Sequence, residues 1–317
     1  MPIQRRLSYC FCLFTALALA CETSGQVARE RHEGPSPPIN TNVKPSQSGT
    51  FNLRGNPMKG RTRHTEGIID MEEAQLTVKA GPITVSGTMT MRVQNTEDLE
   101  IHDVRDGLIR QGRLVHVLDK TITTTRMSVP GSDDKEEIEE EFGELHGRAE
   151  LIELHGGKWI RKLVGAPPSP ELAVVLEDPP LDDNFYPTAI KLGESWTLTG
   201  ADLRRWMESE FNVTRGEMTS TFVAVEALPE ETIAVIEVSG EIGGTVPDED
   251  FGELAFTMTL QGRERRSIER AMEIESSLSG SIEFSGSRVE DGLTVSVTMS
   301  GPVTIRAKGA SAELSAP

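Results

Sequence analysis

Cysteine is nearly absent from this sequence. Its 317 residues include only Cys10, Cys12 and Cys21, and all three lie near the N-terminus. The rest of the chain therefore has no thiol for nucleophilic catalysis and none for a zinc–thiolate site. Aromatic residues are also scarce, at 5%, which disfavours a carbohydrate-binding platform of stacked rings.

Catalytic signatures are absent too. The sequence has no G-x-S-x-G nucleophile elbow, no H-E-x-x-H zinc motif, no P-loop and no dinucleotide-binding glycine pattern. Two carboxylates close together can hydrolyse a glycoside, but among 50 acidic residues any pair could be nominated. We therefore expect a non-enzymatic protein with no catalytic residue, no cofactor and no metal ion.

Two short patterns could hold a metal ion but favour other roles. Glu153 and His155 share a strand face and His146 lies nearby, which suits zinc; glycine follows each histidine, however, and this favours exposed turns. The stretch Asp248–Gly252 resembles the start of a calcium loop. Its twelfth position is Thr259, where such a loop needs a closing glutamate.

Long apolar runs are limited to one N-terminal segment. Arg5 and Arg6 precede a mostly apolar stretch, 7–20, that ends in the small-residue cleavage pattern Ala18-Leu19-Ala20. These features are typical of a bacterial secretory signal peptide over residues 1–20. The apolar stretch has about 14 residues, whereas a membrane-spanning helix needs roughly 20. The sequence thus predicts an exported chain without a spanning helix.

Cys21 directly follows the expected cleavage site. This arrangement resembles the lipobox of bacterial lipoproteins, whose cysteine becomes the first mature residue and carries a diacylglyceryl group. The lipobox favours leucine where this chain has Ala18, and ordinary signal-peptidase cleavage is the alternative. Because a lone thiol is a reactive liability in an exported protein, we expect lipid attachment at Cys21. The predicted location is the outer membrane, facing the periplasm or the cell surface; a secreted or periplasmic soluble protein is the alternative.

Residues 21–50 are predicted to form a disordered tether, because they are poor in apolar residues and contain the Pro-rich run 34–38. Without residues 1–20, the chain has 30 Lys and Arg against 50 Asp and Glu, a net charge of −20. Such a surface repels nucleic acids and anionic lipid faces. The expected membrane contact is therefore the N-terminal lipid alone.

Apolar and polar residues alternate along most of the remaining chain. The segments 84–93, 254–260, 274–284 and 295–305 each place apolar residues or glycine on one side and mainly polar residues, largely Thr and Ser, on the other. A period of two with one polar side predicts antiparallel strands that have one face in water. We expect a mainly β protein of large curved antiparallel sheets with a few short helices.

Turn residues predict how the strands connect. Hairpin turns are predicted at Asp106-Gly107, His155-Gly156-Gly157, Leu228–Glu231 and Asp291-Gly292. In the first hairpin, partners whose numbers sum to 213 would place His102 opposite Gln111 and away from His116. Short helices are predicted at Ser169–Leu176 and Asp202–Ser209, and the acidic stretch Asp134–Phe142 is predicted to be a helix or a loop.

The folded part divides at a Pro-rich connection. Residues 166–187 contain six prolines and separate a β-rich half, 51–165, from a second, 188–317. Val104–Leu108 in the first half is similar to Val289–Leu293 in the second. Two duplicated halves are one explanation; the alternative is that hairpins reuse the same turn residues.

The stretch YPTAIKLGESW, Tyr186–Trp196, carries a proline followed by a Gly-Glu-x-Trp element. It resembles an element of uncharacterised bacterial exported proteins and lipoproteins, in which a proline precedes Val-x-x-Gly-Asp-x-Trp and then β-strands. Glu194 replaces their aspartate. That family has no assigned activity, so the resemblance implies a β-rich envelope fold and no catalytic residues. Gly193 suits a tight strand entry, and Trp196 suits a buried anchor.

Three functions remain open. The leading hypothesis is a non-enzymatic, lipid-anchored envelope protein that binds a partner, such as another envelope protein, through a sheet surface. The second is a carrier that cups a hydrophobic ligand, lined by the adaptable side chains of Met89, Met91, Met258 and Met299; alternatively these methionines fill an ordinary core. The third is a hydrolase with an unrecognised site.

Overall fold

The computed structural model describes residues 49–128, 134–165, 167–177, 180, 185–207, 211–229, 231–248, 250–290 and 292–314. The predicted signal peptide, Cys21 and all of the predicted tether except residues 49–50 lie outside this part of the chain. Within it, neither helix is long and apolar enough to cross a membrane.

Long strands dominate the described fold. The strands are β1 (Thr50–Phe51), β2 (Arg61–Ala80), β3 (Ile83–Arg105), β4 (Leu108–Ser128), β5 (Lys135–Phe142), β6 (Arg148–His155), β7 (Lys158–Leu163), β8 (Ile190–Lys191), β9 (Ser195–Thr199), β10 (Asn212–Leu228), β11 (Glu231–Asp248), β12 (Gly252–Ser267), β13 (Met272–Glu290) and β14 (Leu293–Glu313). The helices are α1 (Pro170–Val175) and α2 (Gly200–Met207). At about 3.3 Å per residue, the longest strands reach roughly 75 Å.

Twelve strands form one antiparallel sheet. Its order is β7-β6-β4-β3-β2-β14-β13-β12-β11-β10-β9, and β5 also pairs with β4. β1 and β8 form a separate two-stranded sheet. The pairing of β2 with β14 joins residues 51–165 and 188–317 within the same sheet. The predicted fold class, mainly β with a large curved antiparallel sheet and few helices, is confirmed.

One face of the sheet carries the main core, and we call it the inner face. The predicted alternation is confirmed there, since Met91, Met258, Phe284 and Met299 are 2–5% exposed. Their neighbours on the other face, the outer face, are mostly threonines and serines. The main core collects inner-face side chains from β2, β3 and β10 to β14, together with Met127 from β4.

Glycines on the inner face allow the sheet to bend. Gly240 on β11 and Gly280 on β13 flank Leu260 of β12 in one row across the strands. A Cβ on Gly240 would lie 2.1 Å from the Glu217 carbonyl oxygen, and one on Gly280 would lie 1.7 Å from that of Thr259. Neighbouring backbones thus approach too closely for a side chain. The bulky residue between the glycines fills the space, so the sheet curves around its core.

Short segments cover the inner face. Leu53 is fully buried, and its carbonyl accepts a hydrogen bond of 2.6 Å from Nε of Arg266. Gly193 has φ of 86° at the entry to β9, and Trp196, expected to be buried, is half-buried and packs against the main core. The helices α1 and α2 confirm the two predicted helices over their described residues.

The predicted strand pairings are confirmed, with two corrections. All four hairpins pair as expected; for example, Arg105 pairs with Leu108. The stretch predicted as a helix or loop is instead strand β5, because β4 supplies backbone partners along its length. The predicted pairing of His102 with Gln111 is wrong. Register shifts on both sides of Asp103 pair Asp103 with Gln111 instead.

Candidate functional site

A single β-bulge at Val117 shapes both faces of the candidate site. Thr96 of β3 pairs with Leu118, and the next residue, Glu97, pairs with His116. Val117 is therefore an extra residue on β4, and the inward–outward alternation of this strand changes there. As a result His116 points inward and is 2% exposed, whereas Val117 points outward and is 46% exposed.

On the inner face, His116 joins two carboxylates and a guanidinium. Its Nδ1 lies 2.9 Å from Oε1 of Glu97, and its Nε2 lies 2.9 Å from Oε1 of Glu150. Arg161 donates to both oxygens of Glu150, at 2.7 and 2.6 Å. A third Arg161 nitrogen donates to the Val175 carbonyl at 3.0 Å, which ties α1 to the sheet. We call these four side chains the ionic cluster.

The ionic cluster connects four strands beside a small second core. Its members come from β3, β4, β6 and β7, so each strand is fixed to the next by side chains as well as by backbone hydrogen bonds. The second core comprises Leu99, Ile101, Ile109, Leu114 and Ile152, with Val104 and Trp159 packed against it.

The charges within the cluster stabilise one another. Burial by itself would lower the pKa of His116, but hydrogen bonds to Glu150 and Glu97 outweigh it and raise the pKa to about 9. Burial would raise the pKa of Glu150, but the bonds from His116 and Arg161 hold it below its usual value. Near neutral pH the cluster therefore holds two positive and two negative charges, as a closely paired buried group should.

His116 should make the stability of the protein depend on alkaline pH. Its folded pKa lies above the ordinary value of about 6.5, so its stabilising contribution is complete below pH 6.5 and is lost as pH rises through about 9. Between pH 6 and 10, the free energy of unfolding of the wild type should fall by about 3 kcal/mol more than that of the His116→Gln variant. Denaturant titrations at several pH values measure this difference. Equal pH slopes in the two proteins would contradict the assignment.

The geometry of the ionic cluster suits a structural role. A general base needs a free nitrogen lone pair within reach of a substrate. Both ring nitrogens of His116 contact carboxylates, and the ring is buried. Glu150 is fully buried and accepts hydrogen bonds from both His116 and Arg161. The arrangement can therefore hold strands together but does not present an acid or a base to a substrate.

The opposite side of the same strands carries exposed apolar residues. Val117, Leu151, Ile160 and Val164 are 41–53% exposed, and we call them the outer patch. Their registers place them on adjoining strands: Leu151 of β6 pairs with Lys162 of β7, and the Val164 N–H donates to Ala149 of β6. Exposed apolar residues that share one face of adjoining strands can mark an interaction site.

A second buried polar group lies at β12, several strands away from the ionic cluster. The Tyr186 hydroxyl donates to Oε1 of Glu264 at 2.6 Å, and the Arg266 guanidinium stacks 3.8 Å from the Tyr186 ring. Burial and the nearby Glu273 carboxylate raise the pKa of Glu264 to about 7. Arg266 also binds the carbonyls of Leu53, Arg54 and Ala271. This group therefore fastens residues 53–54 to the sheet.

The residues weighed for metal binding do not converge. His146 lies in the loop before β6, where Nδ1 accepts from the Asp119 N–H at 3.2 Å. Nε2 of His155 contacts Oε1 of Glu153 at 2.7 Å on the outer side of the hairpin. Across the described residues, no three His, Cys, Asp or Glu side chains are grouped to hold a metal ion.

In the acidic turn that resembles a calcium loop, Asp248 binds the backbone of the turn itself. Oδ1 of Asp248 accepts from the N–H groups of Asp250 and Phe251, at 3.0 and 2.8 Å. Arg288 contacts Asp250 through both its carboxylate and its carbonyl. These contacts involve one side-chain oxygen of each aspartate.

The four candidate carrier methionines fill the core. Met89, Met91, Met258 and Met299 are 1–5% exposed and belong to one packed cluster. The cleft that reaches Met299 has a volume of about 410 Å³ and is also lined by polar outer-face residues such as Thr257 and Glu283. This favours the ordinary-core role of the methionines over a ligand lining.

Comparisons with known proteins add little. No protein-family model matches the sequence, and no curated protein matches it. Among solved structures, an outer membrane channel from Pseudomonas putida F1 is 10% identical, with 85% of this chain and 100% of the channel chain covered and a TM-score of 0.21. A TM-score this low supports no conclusion about fold or function.

Sequence reasoning missed most of the ionic cluster. The sequence places His116 only relative to His102, and it predicts no role for Glu97, Glu150 or Arg161. One signal was available: in 148–155, Glu150 occupies the same alternating position as Ile152. An acidic residue in an inward register position needs a buried partner, although the sequence alone does not say which one.

Proposed function

We propose that this protein is an exported, non-enzymatic binding module, held at the outer membrane by a lipid on Cys21. It binds a protein partner through the outer patch. The observation that carries the proposal is this apolar surface on strands that the ionic cluster holds rigid from behind. A rigid apolar surface binds without first paying the entropy of ordering a loop.

The charges around the outer patch indicate the chemistry of the partner. Lys158 and Lys162 flank Ile160 on the exposed face of β7. The chain as a whole carries a net charge of −18, so this basic strand is unusual in its own protein. The expected partner surface is apolar and bordered by carboxylates, since opposite charges at the rim steer association.

The test places a photo-crosslinking amino acid at Leu151 and, as a control, at Thr259 on the polar part of the outer face. In cells, Leu151 should crosslink to a second envelope protein, and Leu151→Glu should prevent co-purification of that protein. Equal crosslinking at both positions, or crosslinks only within this chain, would contradict the proposal. The intact mass of the same purified protein should begin at Cys21 and include a diacylglyceryl group; an unmodified N-terminus would overturn the anchor.

A further inference from the structure

The border of the sheet at β4 has the shape of a step. β5 pairs with β4 along Lys120–Met127, and β6 pairs with the same side of β4 along Gln111–His116. β7 then adds one more strand next to β6. The sheet therefore extends one strand beyond β4 at one level and two strands beyond it at the next. Among the described residues, β5 and β7 each have one unpaired edge.

The two open edges carry opposite charges. β5 has the sequence KEEIEEEF and β7 has the sequence KWIRKL. Ile138 and Phe142 of β5 are 58% and 54% exposed, and Ile160 of β7 is 41% exposed. An open edge with exposed apolar residues can pair with another chain, and short length and charged side chains reduce that tendency. β5 and β7 are short, with 8 and 6 residues, so a partner must match their charges.

We propose that two copies of this chain pair through these edges around a two-fold axis perpendicular to the sheet. β5 of each copy then lies beside β7 of the other. At the level of β5 of the first copy, the strand order is β4 and β5 of the first copy, followed by β7, β6 and β4 of the second. At the level of β7 of the first copy, the order is β4, β6 and β7 of the first copy, followed by β5 and β4 of the second. Three strands then lie between the β4 strands of the two copies at both levels, so the steps fit without a gap. The inference goes beyond the proposed function and does not require it.

The observed registers give the levels of β5 and β7 along β4, and the proposed axis brings their nearest ends together. Phe142 lies beside Lys120, and Val164 binds Ala149, which lies beside Val115. An axis midway between the levels of Lys120 and Val115 passes at the Val117 bulge. It brings Phe142 of one copy next to Val164 of the other.

On the outer face the side chains match in this register. β5 runs opposite to β4 and β7 runs with it, so the two-fold rotation makes β5 and the second copy's β7 parallel. On the outer face the facing pairs alternate between opposite charges and apolar contacts. The pairs are Glu136 with Lys158, Ile138 with Ile160, Glu140 with Lys162, and Phe142 with Val164.

The surroundings leave room for this contact. Gly165 has φ of 101°, a conformation that glycine adopts easily and that turns the chain away after β7. A cleft of about 410 Å³ lies between Arg161–Leu163 and the following residues Pro167, Pro168 and Leu176. Glu136 and Glu140 already contact Arg126 and Lys120, but a carboxylate can accept further hydrogen bonds.

Cysteine crosslinking tests the register. In chains carrying Cys21→Ser, one preparation has Ile138→Cys and the other has Ile160→Cys; each is oxidised alone and after mixing. A disulfide-linked dimer should form in the mixture and not in either single preparation, because each cysteine faces only the other position. No crosslink in the mixture, or equal crosslinking in the single preparations, would overturn the proposal.

Charge exchange tests the same contact without cysteines. By sedimentation equilibrium, Glu136→Lys/Glu140→Lys and Lys158→Glu/Lys162→Glu should each weaken the dimer on the order of tenfold or more, since four pairs become repulsive. All four substitutions together should restore the wild-type affinity. The matched control Arg263→Glu/Glu237→Lys, an exposed pair on β11 and β12, should leave it unchanged. A monomeric wild type, or weakening without restoration, would contradict the pairing.

Discussion

Replacing Glu150 by alanine should lower the free energy of unfolding by about 3–5 kcal/mol, the usual cost of breaking a buried ion pair. Glu150 is fully buried and accepts hydrogen bonds from both His116 and Arg161. Its removal leaves two buried positive charges without their shared carboxylate. Urea titration near pH 7, followed by circular dichroism, measures the loss.

Glu153→Ala is the matched control for this prediction. Glu153 lies on the same strand, three residues away, and also contacts a histidine and a neutral donor. Its side chain is 39% exposed, so we expect a much smaller loss of stability than in Glu150→Ala. Similar losses in the two variants would show that the ionic cluster does not hold β3, β4, β6 and β7 together.

Replacing Gly280 by alanine should be the most damaging of the small substitutions. On propensity alone, alanine in place of a strand glycine stabilises by about 0.5–1 kcal/mol. Here the added Cβ would lie 1.7 Å from the Thr259 carbonyl oxygen, so the two strands must separate. We expect a loss of about 3 kcal/mol or more, at the upper end of what overpacking costs. Thermal and urea unfolding report this loss.

Gly49→Ala provides the comparison for this substitution. A Cβ at Gly49 meets no atom within 4 Å, so the stability should change by about 0.5 kcal/mol or less. If Gly280→Ala were as mild as Gly49→Ala, the inner-face glycines would not be required for the curvature of the sheet.

The ionic cluster, the outer patch and the stepped edge of the sheet all lie at the bulge at Val117. It turns His116 into the ionic cluster and Val117 into the outer patch. It also lies where β5 ends and β6 begins along β4, so the step in the sheet border is at the same level. One extra residue therefore affects the stability of this region, its apolar surface and the shape of its edge.

Local patterns determined much of the fold. The alternation in 254–260 and 295–305 predicts strands with the correct buried face, because a strand's side chains alternate by simple geometry. The Asp106-Gly107 turn is equally local, since both residues adopt the positive φ that a tight hairpin needs. The prediction of a helix or loop at Asp134–Phe142 is wrong. Glutamates have low strand propensity, and only the backbone pairing with β4 makes this stretch a strand.

The sequence by itself determined the fold class and the scarcity of catalytic motifs, since each depends on composition or on neighbouring residues. It also predicts an export signal at residues 1–20. Only the tertiary structure decided which distant residues meet. Glu97, His116, Glu150 and Arg161 are brought together by three strand pairings and the bulge at Val117, and a one-residue shift reverses which side chains point inward. Pairing register is set by long-range packing, and for that reason the ionic cluster, the outer patch and the stepped edge emerge only from the folded chain.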